Sequence, residues 1–405
     1  MAVEVRPFGV KCNIQCAYCY QEAVRESEAP ARHYDLARIQ AAIEQAGGDF
    51  TLFGGEPLLM PVPELEALWS WGHAKYGRNS LQTNGVLINR RHVELFRKYN
   101  VRVGISVDGP GELNDARRAG SAVATLRATR KTHGAIALLV REKIVPSIII
   151  TLHKVNAGAD RLPLLDQWLR ELDALGIRWV RLHPLEVENA EIRDRYALSA
   201  QENIAVFRHF MELERTLSGL RFDLSGDMRQ LMAGRDNGTT CVWNACDPYT
   251  TRAVQGIEGT GQSSNCGRTN KDGVDFVKAD RPGYERYIAL YHTPHDAGGC
   301  RECRFFLVCK GQCPGTAIDG DWRNRTEDCA LWTALYTDLE TTLLNEGEVP
   351  LSRWPDRPLI EAAMLRHWAS GSNPTIASVI KGMAPETGAA ARAGGGGLQP
   401  TNISN

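Results

Sequence analysis

The placement of cysteine constrains this chain more than any other feature. Three lie within "GVKCNIQCAYCYQEA", at Cys12, Cys16 and Cys19, none follows until Cys241, and the remaining eight fall between 241 and 329. A disulfide scaffold would not leave so long a stretch empty between two dense groups. The start, "MAVEVRPFGV", lacks a basic region followed by a long apolar run and does not read as a secretion signal. The expected compartment is therefore the cytoplasm, where thiols stay reduced. Clustered thiols in a reducing compartment point to metal or cluster ligation.

Composition excludes several other functions. Lys plus Arg number 47 against 48 Asp plus Glu, so no general charge draws the chain to nucleic acid or an anionic membrane. The longest apolar run, about "KIVPSIIITL", is far short of the roughly 20 residues a bilayer span needs. The expectation is a soluble protein with neither nucleic-acid nor membrane partners. With 405 residues, 43% of them hydrophobic, the chain can build a large core and a second module.

From residue 3 to about 220, short apolar runs alternate with amphipathic segments. The strands read as "VEVRPFGV", "FTLFGGEP", "NSLQTNG", "VRVGISVDGP", "IVPSIIITLH" and "IRWVRLHPLE". Between them lie helical patterns: one capped by Asp35 with Leu36, Ile39 and Ile43 on one face, one over 121–142, and one with Leu164, Leu165, Trp168, Leu169, Leu172 and Leu175 stopped by Gly176. A further helix is expected over 199–217. Six strand–helix alternations predict a parallel α/β fold, as a barrel or a doubly wound sheet. Both place chemistry in the loops after the strands.

After residue 220 periodicity weakens. The expected organisation is a barrel over 1–220, a bridging segment over 221–240, a cysteine-rich domain over 241–330 held mainly by its ligands, a helical segment over 331–384 and a disordered Gly-rich tail over 385–405.

The first three cysteines are spaced C-x3-C-x2-C. Three thiolates leave one position open on a [4Fe–4S] cube. A closed zinc site would want a fourth ligand nearby, but no histidine lies closer than His33. Zinc and inert buried thiols are the alternatives. With Tyr18 before the last cysteine and the group placed after the first strand, the motif resembles the radical SAM superfamily. That resemblance implies a partial (βα)6 TIM-like barrel, with Cys12, Cys16 and Cys19 holding a cluster and S-adenosylmethionine on its fourth iron. Further motifs fit it. "GGEP" (Gly54, Gly55, Glu56, Pro57) would meet the methionine amine, with Glu56 and exposed carbonyls accepting from the cation. "QTNG" (Gln82, Thr83, Asn84) and "SVDGP" (Ser106, Asp108) would line the ribose and carboxylate. Arg118 would pair with that carboxylate. Thr151, His183 and Pro184 would face the adenosine or the substrate.

The later cysteines run Cys241-x4-Cys246-x19-Cys266, then Cys300-x2-Cys303-x5-Cys309-x3-Cys313, then Cys329, with Gly261 five before Cys266. From Cys246 on, this resembles the SPASM pattern of radical SAM enzymes that modify peptides and proteins. The resemblance implies two auxiliary [4Fe–4S] clusters, three in all. Cys246, Cys266 and Cys313 would hold the first, with Cys241 as fourth ligand. Cys300, Cys303, Cys309 and Cys329 would hold the second. A pair of zinc ribbons is the alternative.

With no thiol spare, epimerisation and thioether formation lose ground to oxidation, in which a substrate radical passes an electron to the auxiliary clusters. The reading is a peptide maturase that oxidatively cross-links side chains of a ribosomally made peptide, reduced by a flavodoxin or ferredoxin. Formylglycine formation on a sulfatase is the alternative, and a non-catalytic iron–sulfur electron carrier a third. Sulfatase-maturing relatives usually carry Asp directly after the cysteine corresponding to Cys266, whereas this chain has Gly267, with Asp272 and Asp275 nearby. No leader-binding domain is expected before Cys12. The sequence selects no catalytic base among Asp227, Glu186, Asp247 and Tyr249.

Overall fold

A computed structural model of the chain describes residues 2–22, 34–187, 189–247, 250, 254–269, 281 and 283–383. The tail expected to be disordered, 385–405, lies outside the described residues, as do Tyr249, Asp272 and Asp275.

Six parallel strands form the body of one sheet: β1 (Ala2–Arg6), β2 (Phe50–Leu52), β3 (Asn79–Thr83), β4 (Val101–Ser106), β5 (Ser147–Leu152) and β6 (Trp179–Pro184). Each pairs with the next in chain order. A doubly wound sheet reverses its order at a switch point, so sequential pairing is the barrel arrangement.

Strand alternation divides the labour within each strand. Val3, Val5, Leu81, Ile105, Ile148, Ile150 and Val180 enter the hydrophobic core. Their neighbours Glu4, Gln82, Ser106, Thr151, Arg181 and His183 line a cavity instead. A side-chain period of two is sufficient to make one face structural and the other chemical.

The connecting helices follow their sequence signals. Asp35 caps Leu36–Ala46 by accepting from Ala37 N–H at 2.9 Å and Arg38 N–H at 3.1 Å, and Gly47 ends it in the left-handed region. The 121–142 and 199–217 patterns become Ala122–Arg141 and Ala200–Thr216. In Leu162–Leu175 the buried stripe is Leu165, Trp168, Leu169 and Leu172, while Leu164 and Leu175 at its edges stay exposed.

The sheet does not stop at residue 220. Strand β7 (Arg221–Phe222) pairs with β6, and helix Asp223–Met232 follows, both within the segment read as a bridge. On the opposite edge, β8 (Val254–Glu258) pairs in parallel with β1 over its whole length, and β9 (Ser263–Ser264) turns back on β8. The cysteine-rich region thus contributes two strands to the barrel sheet. That region also buries apolar side chains of its own. Trp243, Tyr287, Phe305, Phe306 and Val308 are buried there. Trp243 stacks edge-on to Trp332 of helix Cys329–Asn345 at 5.5 Å, and Trp332 meets Phe207 of the barrel helix at 6.1 Å. Among the described residues, no helix is long and apolar enough to cross a membrane.

Candidate functional site

A cavity of about 310 Å³ opens at the C-terminal ends of the strands. Cys12, Cys16 and Cys19 share its wall with Gly54, Gly55, Gln82, Thr83, Asn84, Ser106, Thr151, His183 and Pro184. These residues come from the C-terminal ends of the six strands and the loops that follow them.

The glycines of "GGEP" serve the packing of one loop on another. A Cβ on Gly55 would stand 2.0 Å from the Lys11 carbonyl oxygen, and one on Gly54 would stand 2.6 Å from that of Gly9. Gly55 N–H donates to Gly9 O and Glu56 N–H to Lys11 O, each at 2.9 Å. The second loop is therefore pressed onto the backbone that carries the first cysteines. Asn84 extends the contact by donating from Nδ2 to Asn13 Oδ1 at 2.7 Å.

Four residues read as cofactor contacts face elsewhere. Glu56 is buried and accepts from Leu58 N–H at 3.0 Å, Thr83 Oγ1 at 2.7 Å and Asn84 N–H at 2.9 Å. Its carboxylate ties the second loop to the third instead of standing open to a cation, and Pro57 is buried beside it. Asp108 is fully buried behind the wall, in contact with Tyr18, Arg117 and His153. Burial alone would raise its pKa, but Arg117, His153 and Tyr18 outweigh burial and hold the carboxyl down at about 2.

Arg118 is the fourth. Gln15–Cys16 and Arg117–Arg118 form a two-residue antiparallel ribbon in which Cys16 faces Arg117. Adjacent residues of a strand point to opposite sides. Arg117 is buried on the cavity wall, while Arg118 is exposed and donates to the Tyr196 hydroxyl at 2.7 Å. The inward arginine is therefore 117. Two adjacent arginines carry no sequence signal that tells them apart.

The other eight cysteines gather in two groups. Cys241, Cys246, Cys266 and Cys313 line one small cavity. Cys300, Cys303, Cys309 and Cys329 line another. They are the same two groups of four that the resemblance implies. No disulfide joins any of the eleven cysteines. Burial, the largest cause in each case, pushes Cys16, Cys241 and Cys300 up to about 12. A thiol so placed stays protonated and inert unless a metal takes the place of its proton.

The all-cysteine donor sets suit iron–sulfur cubes, in which each thiolate binds a separate iron.

The wall between the first cavity and the first quartet is mixed, with Phe53 and Val242 beside its polar residues. Glu4, Tyr20, Cys241, Arg268 and Cys313 line both sides. Arg268 holds Glu186 Oε1 at 2.7 Å from Nε and approaches His183 Nδ1 at 3.3 Å from Nη2. Burial, then Arg268 and Arg181, push the His183 pKa well down. A Cβ on Gly267 would come within 2.9 Å of the Tyr20 ring, so Tyr20 occupies the space an aspartate there would need. Of the candidate bases, Glu186 lines the cavity. Asp227 accepts from Thr240 N–H at 2.9 Å and Oγ1 at 2.7 Å, bracing the chain before Cys241, and Asp247 is buried away from the wall. Sequence reasoning did not single out Glu4, Tyr20, Arg181 or Arg268. The polar positions within apolar strands "VEV" and "WVRL" were the available signal for Glu4 and Arg181.

Residues 7–157 match the Radical SAM superfamily. A serine-type anaerobic sulfatase-maturating enzyme of Klebsiella aerogenes is 31% identical over 215 residues, covering 48% of this chain and 49% of that protein. The chain thus spans about half the length of that relative. A cysteine-type enzyme of Clostridium perfringens is 23% identical over 353 residues, covering 77% of this chain and 88% of the relative. The solved structure of anSMEcpe with bound AdoMet superposes with a TM-score of 0.63 at 19% identity, over 85% of this chain and 97% of that one. A second, with AdoMet and a Cp18Cys peptide, gives 0.61 at 20% identity over the same shares. These structures share the fold.

Proposed function

Starting from a chain that carries a radical SAM domain over residues 7–157, we propose that it oxidises a serine or cysteine side chain of a peptide or protein to the aldehyde of formylglycine. When bound, a [4Fe–4S] cluster and S-adenosylmethionine supply a 5′-deoxyadenosyl radical that removes a hydrogen atom. Cys12, Cys16 and Cys19 would hold the cluster, and the Gly54–Gly55, Gln82–Asn84 and Ser106 loops the S-adenosylmethionine.

The observation that carries the reading is the shared wall. Cys241 and Cys313 line both the first cavity and the cavity of the first quartet. A radical formed in the first cavity then lies next to a one-electron acceptor, which favours oxidation over return of the hydrogen. In this reading each quartet holds an auxiliary cluster. The choice of substrate is supported by the likeness to sulfatase-maturating enzymes.

Gly267 favours a second reading, oxidative cross-linking of two side chains in a ribosomally made peptide. The position after Cys266 offers no carboxylate, and Tyr20 fills its space. One assay separates the readings. Anaerobically reconstituted, reduced enzyme is given S-adenosylmethionine and a sulfatase-motif peptide, and products are trapped with a hydrazine. A hydrazone supports formylglycine. A product lighter by H2 that forms no hydrazone supports the cross-link. Absence of 5′-deoxyadenosine removes both and leaves an electron carrier.

A further inference from the structure

Oxidation of an alcohol or thiol in this cavity must release a proton as well as an electron. The wall offers few places for it. Arg117, Arg181 and Arg268 are permanently charged donors. His183 is held neutral by burial and two arginines, with Nδ1 turned to Arg268. The Tyr18 hydroxyl donates to Asp108. Burial, then Glu186 and Glu4, keep the Tyr20 phenol protonated. Asp223 is paired with Arg181. Three carboxylates remain: Glu4, Glu186 and Asp328.

Glu186 differs from the other two in how it is held. It stands just past the end of β6, where barrel loops meet substrate. Arg268 Nε fixes Oε1 at 2.7 Å, and the side chain is only 11% exposed. Its other oxygen, Oε2, is buried with no hydrogen-bond partner. A buried acceptor left unpaired is costly. A cavity-lining carboxylate with one oxygen clamped and the other without a partner keeps a free acceptor for a proton.

We propose that Glu186 is the proton acceptor of the oxidation, an assignment that rests on the reading given under Proposed function. For serine, bound S-adenosylmethionine would supply the group that takes a hydrogen atom from Cβ. Glu186 Oε2 would take the hydroxyl proton as one electron passes to an oxidised iron–sulfur centre and the C=O bond closes. For cysteine the same losses leave a C=S bond, and water hydrolyses it to the aldehyde and hydrogen sulfide. Arg268 acts as a positioning residue that holds Oε1 and so leaves Oε2 as the unpaired oxygen.

The test uses the full-length reconstituted enzyme, S-adenosylmethionine, a chemical reductant and a sulfatase-motif peptide deuterated at the Cβ of its serine or cysteine. Two quantities are read: deuterium in 5′-deoxyadenosine, which reports abstraction, and trapped aldehyde, which reports completion. In Glu186→Gln, abstraction should persist while aldehyde per abstraction falls on the order of 10²-fold, and Glu186→Asp should recover part of it. Equal aldehyde yield in Glu186→Gln overturns the assignment. So does loss of abstraction itself, which would make Glu186 a cofactor or folding residue. So does uncoupling in Glu4→Gln or Asp328→Asn with none in Glu186→Gln. Wild-type enzyme that forms 5′-deoxyadenosine but no aldehyde overturns the functional reading and the assignment with it, a result distinct from the others.

Discussion

The Nε of Arg117 lies 3.1 Å from Oδ2 of Asp108, and both side chains are buried behind the first cysteine loop. The same guanidinium lies 5.8 Å from the centre of the Tyr18 ring. Removing one partner of a buried pair leaves the other charge uncompensated, at a cost of about 3–5 kcal/mol. Arg117→Met should lower thermal stability by that order and abolish 5′-deoxyadenosine formation. Arg118→Met should cost within about 1.5 kcal/mol, because Arg118 is exposed and loses a single hydrogen bond to the Tyr196 hydroxyl. Thermal unfolding and single-turnover cofactor cleavage of both variants check this.

Asp108 also sets an acid limit. Its folded pKa, about 2, lies below its ordinary value near 4. The folded state therefore binds this proton less readily than the unfolded one. The resulting stability is present above about pH 4 and is lost as pH falls through about 2. It amounts to about 2 kcal/mol. Asp108→Asn should be less stable than wild type at pH 6, with the gap narrowing below pH 4, as read from denaturant midpoints across that range.

If both quartets hold clusters, reconstituted protein should carry about twelve irons. Cys241→Ser should lose up to about a third of them and keep cofactor cleavage, because Cys12, Cys16 and Cys19 are untouched. Cys16→Ser should keep most of the iron and lose cleavage. Iron, sulfide and 5′-deoxyadenosine are the measurements.

An aspartate at position 267 meets the Tyr20 ring. Overpacking of this kind costs about 1–3 kcal/mol. Gly267→Asp should lower the melting temperature and not raise aldehyde yield. Adding Tyr20→Ala should restore most of the lost stability by vacating the space, as a double-mutant cycle would show.

Arg286 is fully buried, and its guanidinium donates to the carbonyls of Trp322 at 2.6 Å, Asn324 at 3.0 Å and Gln312 at 3.1 Å. The 309–313 stretch it grips joins the second quartet, through Cys309, to the first, through Cys313. Arg286→Met should destabilise by several kcal/mol, since each bond to a charged donor contributes about 1.5–3. Loss of the positive charge should also make the auxiliary clusters harder to reduce. Redox titration followed by electron paramagnetic resonance would register that shift.

What the sequence made legible follows from locality. Six strands and their helices were readable because each carries its own period and caps, as Asp35 and Gly47 show. The cysteine groups were readable because spacing is a linear property. Arg117 was not, because which of two adjacent arginines turns inward depends on the register with Gln15–Cys16, about a hundred positions away. The inward role of Glu56 was hidden for a related reason: its partners Thr83 and Asn84 lie on another loop. Strand β8 was missed because "VQGIE" is short, lies in cysteine-rich surroundings and finds its partner only across the whole barrel.

That last strand decides how the molecule can be taken apart. Severing the chain near residue 220 would strip β1 of a neighbour along its full length and bare an unpaired edge beside the Cys12–Cys19 loop. The two halves are therefore unsuited to exchange as cassettes between enzymes. A graft of either must carry the other, or supply a substitute strand for that seam.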